Sequence, residues 1–280
     1  MESESKNWVV STDGSRASKD AFWQLFKEFY SSEDKLEVVS ITDPAKTYLP
    51  YEYLPTTIYN DYKTELLSKI HPSKYKIVMK EKSEGSTVRE EILKYVEGAF
   101  ALFIGYHGRK GEKEDPTVMG QTVRFSAYKS SVPLFVIKSL ALREKTKSKG
   151  FTYLVCMDGS DKALRGLEFA AKLLKKPEDK IVAVSVWAIE FADKIPSIEK
   201  SVERFAEEKN IKIEYILLPK TVDIKVTIVE FINKSEKCEV DFVVFGNHGL
   251  RQQFEGKGEF LGSFAANIIA NANANPIMIP

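Results

Sequence analysis

Tyr153-Leu-Val-Cys-Met-Asp-Gly-Ser160 repeats Trp8-Val-Val-Ser-Thr-Asp-Gly-Ser15 at an offset of 145 residues, and this pair decides the architecture. Each stretch is a short apolar run, as a buried strand requires, closed by Asp-Gly-Ser, whose oxygens suit the start of a helix. The match continues outward in order. Leu36-Glu-Val-Val-Ser-Ile41 aligns with Ile181-Val-Ala-Val-Ser-Val186 at the same offset of 145. Phe103-Ile-Gly-Tyr-His-Gly108 aligns with Val244-Phe-Gly-Asn-His-Gly249 at 141, and Val132-Pro-Leu-Phe-Val-Ile137 with Asn275-Pro-Ile-Met-Ile279 at 143. Four collinear matches with offsets drifting by a few residues mark an internal duplication. The chain reads as two domains, 1–138 and 151–280, joined by a polar, basic linker at 139–150 that ends in glycine.

Within each copy the pattern predicts strand, helix, strand, helix, strand, helix, strand, loop, helix, strand. A helix over Arg16–Phe29 carries its apolar residues on one stripe: Ala17, Ala21, Phe22, Leu25, Phe26 and Phe29. Ala163, Leu167, Phe169, Ala170, Leu173 and Leu174 repeat the stripe. Leu36–Ile41 and Ile181–Trp187 are continuous apolar runs, the mark of strands covered on both faces. Helices are predicted over Val88–Gly98 and Val226–Lys237, each feeding an apolar strand. The fold class is therefore α/β, with two doubly wound, Rossmann-like parallel sheets of five strands each. Such sheets bind ligands beyond the carboxyl ends of their strands, where the strand order reverses. Each copy ends in an apolar strand that needs cover, so the two copies are expected to pair as an intramolecular pseudo-dimer, these strands antiparallel.

Composition narrows the function. Forty-one basic and forty acidic side chains leave a formal charge of +1, so no global field favours nucleic acid or a membrane. Two cysteines, Cys156 and Cys238, cannot build a disulfide framework; a reducing, cytoplasmic setting is expected. The polar N-terminus lacks the apolar core of a secretory signal, and no apolar run is long enough for a membrane span.

The strongest local signal is Gly246-Asn-His-Gly249, followed after twelve residues by Gly262-Ser263 and a helix over 264–272. Glycines let the backbone approach an anion closely, and free amides at a helix start, aided by the dipole, favour a phosphate. Ser263 adds a hydroxyl. The first copy keeps Gly105-Tyr-His-Gly108, but eleven residues precede Gly120, Gln121 stands in place of serine, and Glu112, Glu114 and Asp115 lie in the loop. His107 and His248 take equivalent places in the two turns.

On these residues each copy resembles the universal stress protein family, whose ATP-binding members carry Gly-x2-Gly-x9-Gly-Ser/Thr; the loop of twelve here is longer. The resemblance covers the chain twice and implies an adenine nucleotide alpha hydrolase-like fold binding ATP with Mg2+. It implies that Asp13 and Asp158 meet the adenosine part, and that Ile41 and Val186 lie beside the adenine. Gly246, His248, Gly249, Gly262 and Ser263 would surround the phosphates in the second copy, and Gly105, Gly108 and Gly120 in the first. The aspartates can equally cap the following helices, and the glycines can serve the turns alone.

No Gly-x4-Gly-Lys-Ser/Thr loop, Gly-x-Ser-x-Gly elbow or histidine cluster with metal-ligand spacing occurs in the sequence. The function expected is a non-enzymatic, regulatory or stress-related nucleotide-binding protein, its nucleotide mainly in the second domain and any hydrolysis slow. The rival is an interaction or structural module, a subunit of a larger assembly, that kept the fold and lost the ligand. Tyr48–Tyr62, with five tyrosines, suits either a partner surface or a cover for the domain's own core.

Overall fold

The structure is a computed structural model and describes residues 5–46, 48–109, 119–140, 150–189, 192–234, 238–247 and 261–280. Contacts divide the chain into two compact units, Met1–Leu140 and Ala141–Pro280. Residues 141–149, most of the predicted linker, lie outside the described residues.

In the first unit the elements run β1 (Asn7–Ser11), α1 (Arg16–Gln24), β2 (Lys35–Thr42), α2 (Pro55–Leu67), β3 (Tyr75–Glu81), α3 (Val88–Leu93), β4 (Ala101–Gly105), α4 (Gln121–Lys129) and β5 (Leu134–Ile137). The strands are parallel, in the order β3-β2-β1-β4-β5. The second unit repeats this with β6 (Thr152–Cys156), α5 (Asp161–Leu173), β7 (Lys180–Trp187), α6 (Ile195–Lys209), β8 (Ile213–Pro219), α7 (Ile224–Lys234), β9 (Phe242–Gly246), α8 (Ser263–Asn271) and β10 (Asn275–Ile279). Its parallel order is β8-β7-β6-β9-β10.

Both sheets owe their stability to strands sealed on two faces. Trp8, Val9 and Val10 are fully buried, as are Tyr153, Leu154 and Val155. Each such side chain contributes about 1.5–3 kcal/mol relative to exposure. In the first unit Phe103 and Phe135 stack with centroids 4.0 Å apart, and Trp8 meets Phe100 edge-on at 4.8 Å. In the second, Tyr153 stacks on Phe242 at 5.5 Å. Most of each predicted stripe is buried, Ala21, Phe22, Leu25 and Phe29 in the first unit and Ala163, Leu167, Phe169, Ala170 and Leu173 in the second, whereas Ala17, Phe26 and Leu174 are half-buried. Beyond Gln24 the first helix widens into a π turn, Leu25–Phe29, that keeps Leu25 and Phe29 inside.

Two predicted helices differ in extent. The stretch expected to be helical to Gly98 ends at Leu93, and Gly98 turns back with φ +73° just before β4. The helix predicted from Val226 starts at Ile224, where Asp223 accepts from the Lys225 amide. A carboxylate pair went unread in the sequence. Asp34 accepts from the Lys6 and Ser31 amides and from the Trp8 indole, tying the turn before β2 to the start of β1. Asp179 does the same at the matching position, accepting from the amides of Phe151, Lys175 and Lys176.

The Asp-Gly-Ser turns resolve the capping question. Ser15 and Ser160 are the helix N-caps, accepting from the amides of Ser18 and Ala163. Asp13 and Asp158 instead accept from the amides of Ser15 and Ser160, two residues on. The glycine between them has φ +82° in both units, a conformation open to glycine at little cost. Helix α1 then passes so close to β4 that a Cβ on Gly105 would lie 2.4 Å from the Ala17 carbonyl carbon. Gly105 therefore serves helix–sheet packing. Gly105→Ala is expected to destabilise the first unit by about 1–3 kcal/mol through overpacking, checked by denaturant unfolding.

Candidate functional site

In each unit the strand order reverses between two neighbours, β1 and β4 or β6 and β9, whose crossovers leave in opposite directions. A cleft opens above their carboxyl ends. The cleft of the second unit encloses about 460 Å³. Asp158 at the end of β6, Val184 and Val186 of β7, Gly246 and Asn247 after β9, and Gly262 and Ser263 at the start of α8 all line it. The first helical bond of α8 runs from the Ala266 amide to the Gly262 carbonyl at 2.9 Å. No side chain caps the helix start, so the amides of Ser263, Phe264 and Ala265 have no intrahelical acceptor there. Ser263 is exposed on the same rim.

Around these amides stand polar and apolar walls. Asp158 is exposed; its Oδ1 accepts from the Ser160 amide at 2.9 Å and hydroxyl at 2.6 Å. Lys162 donates to Asn247 Oδ1, and partial burial, then Arg165, pushes its ammonium pKa down. Lys220 and Lys225 were missed in the sequence and line the cleft. Lys225 stands 3.5 Å from Asp223. Cys156 is half-buried in the cleft floor, and desolvation followed by the Asp158 charge pushes its pKa up. His248 and Gly249 lie outside the described residues.

The first cleft is larger, about 740 Å³, and brings together Asp13, Ile41, Gly105, His107, Gly108 and Gly120. Helix α4 also starts uncapped at Gly120, its first bond running from the Arg124 amide to the Gly120 carbonyl at 3.0 Å. Gln121 occupies the first helical position, and Glu112, Glu114 and Asp115 lie outside the described residues. A Cβ on Gly108 would sit 3.0 Å from Asp13 Oδ2, and one on Gly120 3.0 Å from the Tyr106 carbonyl. These glycines admit a close approach of the cleft's own loops. His107 packs edge-on against Tyr106.

The floors differ residue by residue. Thr12 and Ser18 of the first unit correspond to Met157 and Ala163 of the second. Thr12 Oγ1 lies 3.0 Å from Ser18 Oγ and 2.9 Å from the hydroxyl of buried Tyr62. Burial pushes the Tyr62 pKa up. Tyr62 belongs to the segment expected to form either a cover or a partner surface, and the structure divides it. Ile58 and Tyr62 of α2 are buried, whereas Tyr48 and Tyr51 are exposed. Four cations also line the first cleft, Lys46, Lys82, Arg89 and Arg109, none of them singled out by motif. Lys82 and Lys220 are structural equivalents: their amides donate to Thr42 and Trp187, the last residues of β2 and β7. Extending the repeat alignment through the third strand would have found them. Among the described residues no group of three or more His, Cys, Asp or Glu is placed to hold a metal, and no helix is long and apolar enough to cross a membrane.

The universal stress protein family model matches residues 152–280. No curated protein matches the chain in sequence. Among solved structures, a universal stress protein from Archaeoglobus fulgidus DSM 4304 superposes with a TM-score of 0.68 at 18% identity, covering 99% of this chain and 98% of that one. That likeness establishes the fold. The universal stress protein UspA from Lactobacillus plantarum gives 0.37 at 17% identity, over 46% of this chain and 97% of that one. A universal stress protein solved in complex with cAMP gives 0.34 at 21% identity, over 46% and 96%.

The α3 wall of the first cleft rests on Glu91, which is fully buried. Its carboxylate accepts from Lys94 at 2.7 Å and Ser86 at 2.8 Å, bonds that hold its pKa down at about 2. A depressed folded-state value contributes stability that is complete above the unfolded value of 4.5 and is lost as pH falls through about 2. Thermal melts from pH 6 to about 2 should therefore show a shallower loss of first-unit stability in Glu91→Gln than in the parent, from a lower starting midpoint. Parallel curves would show that Glu91 is not the linked group.

Proposed function

We propose that this chain, which belongs to the universal stress protein family through residues 152–280 and repeats that domain's fold in its first half, binds an adenine nucleotide, chiefly ATP in the second cleft. The observation that carries the reading is the uncapped start of α8 at Gly262, opening into the cleft that Asp158 and Val186 also line. Those groups suit the three parts of a nucleotide. The amides of residues 263–265 and the Ser263 hydroxyl would hold phosphate oxygens. Asp158, with its second oxygen turned to no partner among the described residues, would accept from ribose hydroxyls. Val184 and Val186 would meet one face of the base. About 460 Å³ is a normal size for a small-ligand pocket. Bound Mg2+ would arrive with the phosphates and neutralise part of their charge.

The role that fits is regulatory binding in the cytoplasm, in a stress-related response, without catalysis. No sequence motif for a positioned general base or an arginine finger is present, so hydrolysis would be slow. The rival reading, an interaction module, draws its support from Gln121 and the exposed Tyr48 and Tyr51.

Titration calorimetry of the full chain with ATP and magnesium tests the proposal. Gly262→Val places a branched side chain where the anion must approach, and should weaken the tighter site at least about tenfold while leaving the melting temperature near the parent's. Absence of binding heat in the unsubstituted chain at millimolar nucleotide would favour the interaction module.

The first cleft should hold ATP about tenfold more weakly, a difference of ~1.4 kcal/mol, because Gln121 fills phosphate space and brings no hydroxyl. In the Gly262→Val background, Gln121→Ser should tighten the remaining ATP site. An unchanged affinity would show that the hydroxyl is not what separates the two clefts.

A further inference from the structure

The first cleft differs from the second most sharply where a nucleotide's ribose would lie. Arg109, two residues after His107, donates its backbone N–H to Asp13 Oδ2 at 3.0 Å and its Nε–H to the Asp13 carbonyl at 3.0 Å. Its Nε also stands 3.9 Å from Oδ2, and its guanidinium lies 5.8 Å from the centre of the Tyr53 ring. The side chain is thus fixed by the Asp-Gly-Ser turn and largely buried, with a relative exposure of 20%. Nothing among the described residues hydrogen-bonds its two terminal nitrogens, which carry four of the five guanidinium donors. By the sequence repeat the matching residue of the second unit is Leu250, which has no donor to offer.

On the nucleotide reading, Asp13 meets the adenosine part of the ligand. In dinucleotide-binding sheets a nearby arginine, in place of an acid that accepts from ribose hydroxyls, accommodates a phosphate on the ribose. Arg109 is such an arginine, and its donors form the planar fork that grips phosphate oxygens in pairs. The rest of the cleft has the matching charge. Asp13 is compensated by Arg109, and Asp43 lies 3.7 Å from Lys82. Lys46 and Arg89 remain with no carboxylate partner among the described residues, so the described part of the lining is net positive. The larger volume, about 740 Å³ against 460 Å³, leaves room for an additional phosphate.

We propose that the first cleft is a separate site that selects a nucleotide phosphorylated on a ribose hydroxyl as well as at the 5′ position, with Arg109 as the residue that reads the added phosphate. This rests on the nucleotide reading of the clefts given above. The two units then divide their ligands: the second takes a nucleotide with free ribose hydroxyls, and the first one with a phosphate there.

The test uses the full chain carrying Gly262→Val, so that the first cleft dominates the signal. Calorimetric titrations compare adenosine 5′-monophosphate with adenosine 2′,5′-bisphosphate and adenosine 3′,5′-bisphosphate. At least one bisphosphate should bind about tenfold or more tightly than the monophosphate, and the better isomer identifies the hydroxyl concerned. Arg109→Leu, which copies the second unit, should erase that preference. Arg109→Lys keeps a charge without the fork and should retain only part of it. Bisphosphates that bind no better than the monophosphate, or not at all, overturn the proposal. So does a preference that survives Arg109→Leu. If Arg109→Leu fails to fold, the comparison between Arg109 and Arg109→Lys decides. ATP binding to a chain with an unaltered second cleft is measured separately, so failure here leaves the reading of that cleft to its own result.

Discussion

A parallel sheet must be covered by helices on both faces, and the connections that carry the chain from one face to the other cannot close over every strand end. Between β1 and β4, and again between β6 and β9, the crossovers depart to opposite sides and leave a crevice at the carboxyl edge. Everything chemical in this chain gathers there. The Asp-Gly-Ser turns emerge at one lip, and the starts of α4 and α8 form the other. Beside the first crevice α1 is drawn close to β4, a contact that only a residue without a side chain at position 105 allows. Packing thus sets where the cleft lies, and its lining decides what it holds.

The two linings have moved apart under one architecture. Hydroxyls under the first cleft, joined from Ser18 through Thr12 to Tyr62, give way under the second to Met157 and Ala163. The hydroxyl network depends on α2, which brings Tyr62 down onto the first strand and buries it. Part of the tyrosine-rich segment therefore belongs to the first cleft's foundation, in keeping with the second of its two expected roles, a cover for the domain's own core. Gly14 shows the same dependence, since a Cβ there would lie 3.1 Å from both the Glu52 carbonyl and Ile58. The second unit seats Ile198 of α6 against the equivalent Gly159 instead.

Features fixed by local patterning were legible in the sequence. Strand runs, helical stripes and the Asp-Gly-Ser turns follow from periodicity and from the conformations that glycine and serine favour, and the duplication reinforced each of them. Gly105, Gly108, Gly120, Gly246 and Gly262 were likewise placed by motif and do line the clefts. What escaped were contacts between residues far apart in the chain. Asp34 and Asp179 look like ordinary turn residues until their amide partners at the start of β1 and β6 are known. Gly150 read as the flexible end of a linker, yet it is buried, and a Cβ on it would lie 2.2 Å from the Glu178 carbonyl carbon. Its smallness serves a close approach in the second unit. Arg109 had no signal of its own, because a lone arginine after a glycine turn gains meaning only from the carboxylate 96 residues earlier that it holds.

Duplication explains how that arginine could arise without cost to the fold. On the nucleotide reading proposed above, a donor beside Asp13 competes with ribose hydroxyls for its carboxylate, and in a single-domain protein such a change would remove the site. Here Asp158 keeps the simpler arrangement, bonded to Ser160 alone among the described residues. On the proposed reading, the first unit has an anion-accepting group where the second has a hydroxyl-accepting one. The exchange also suits the local electrostatics, since a guanidinium fixed at Nε by the turn's own carbonyl loses little conformational freedom when its terminal nitrogens engage a ligand. Lys82 and Lys220 take the same place in the two units, so both clefts carry a lysine after the third strand. On the ligand proposed for the first cleft, Arg109 adds a second cationic group to a lining that already holds Lys82, and the two together suit a ligand charged at more than one place.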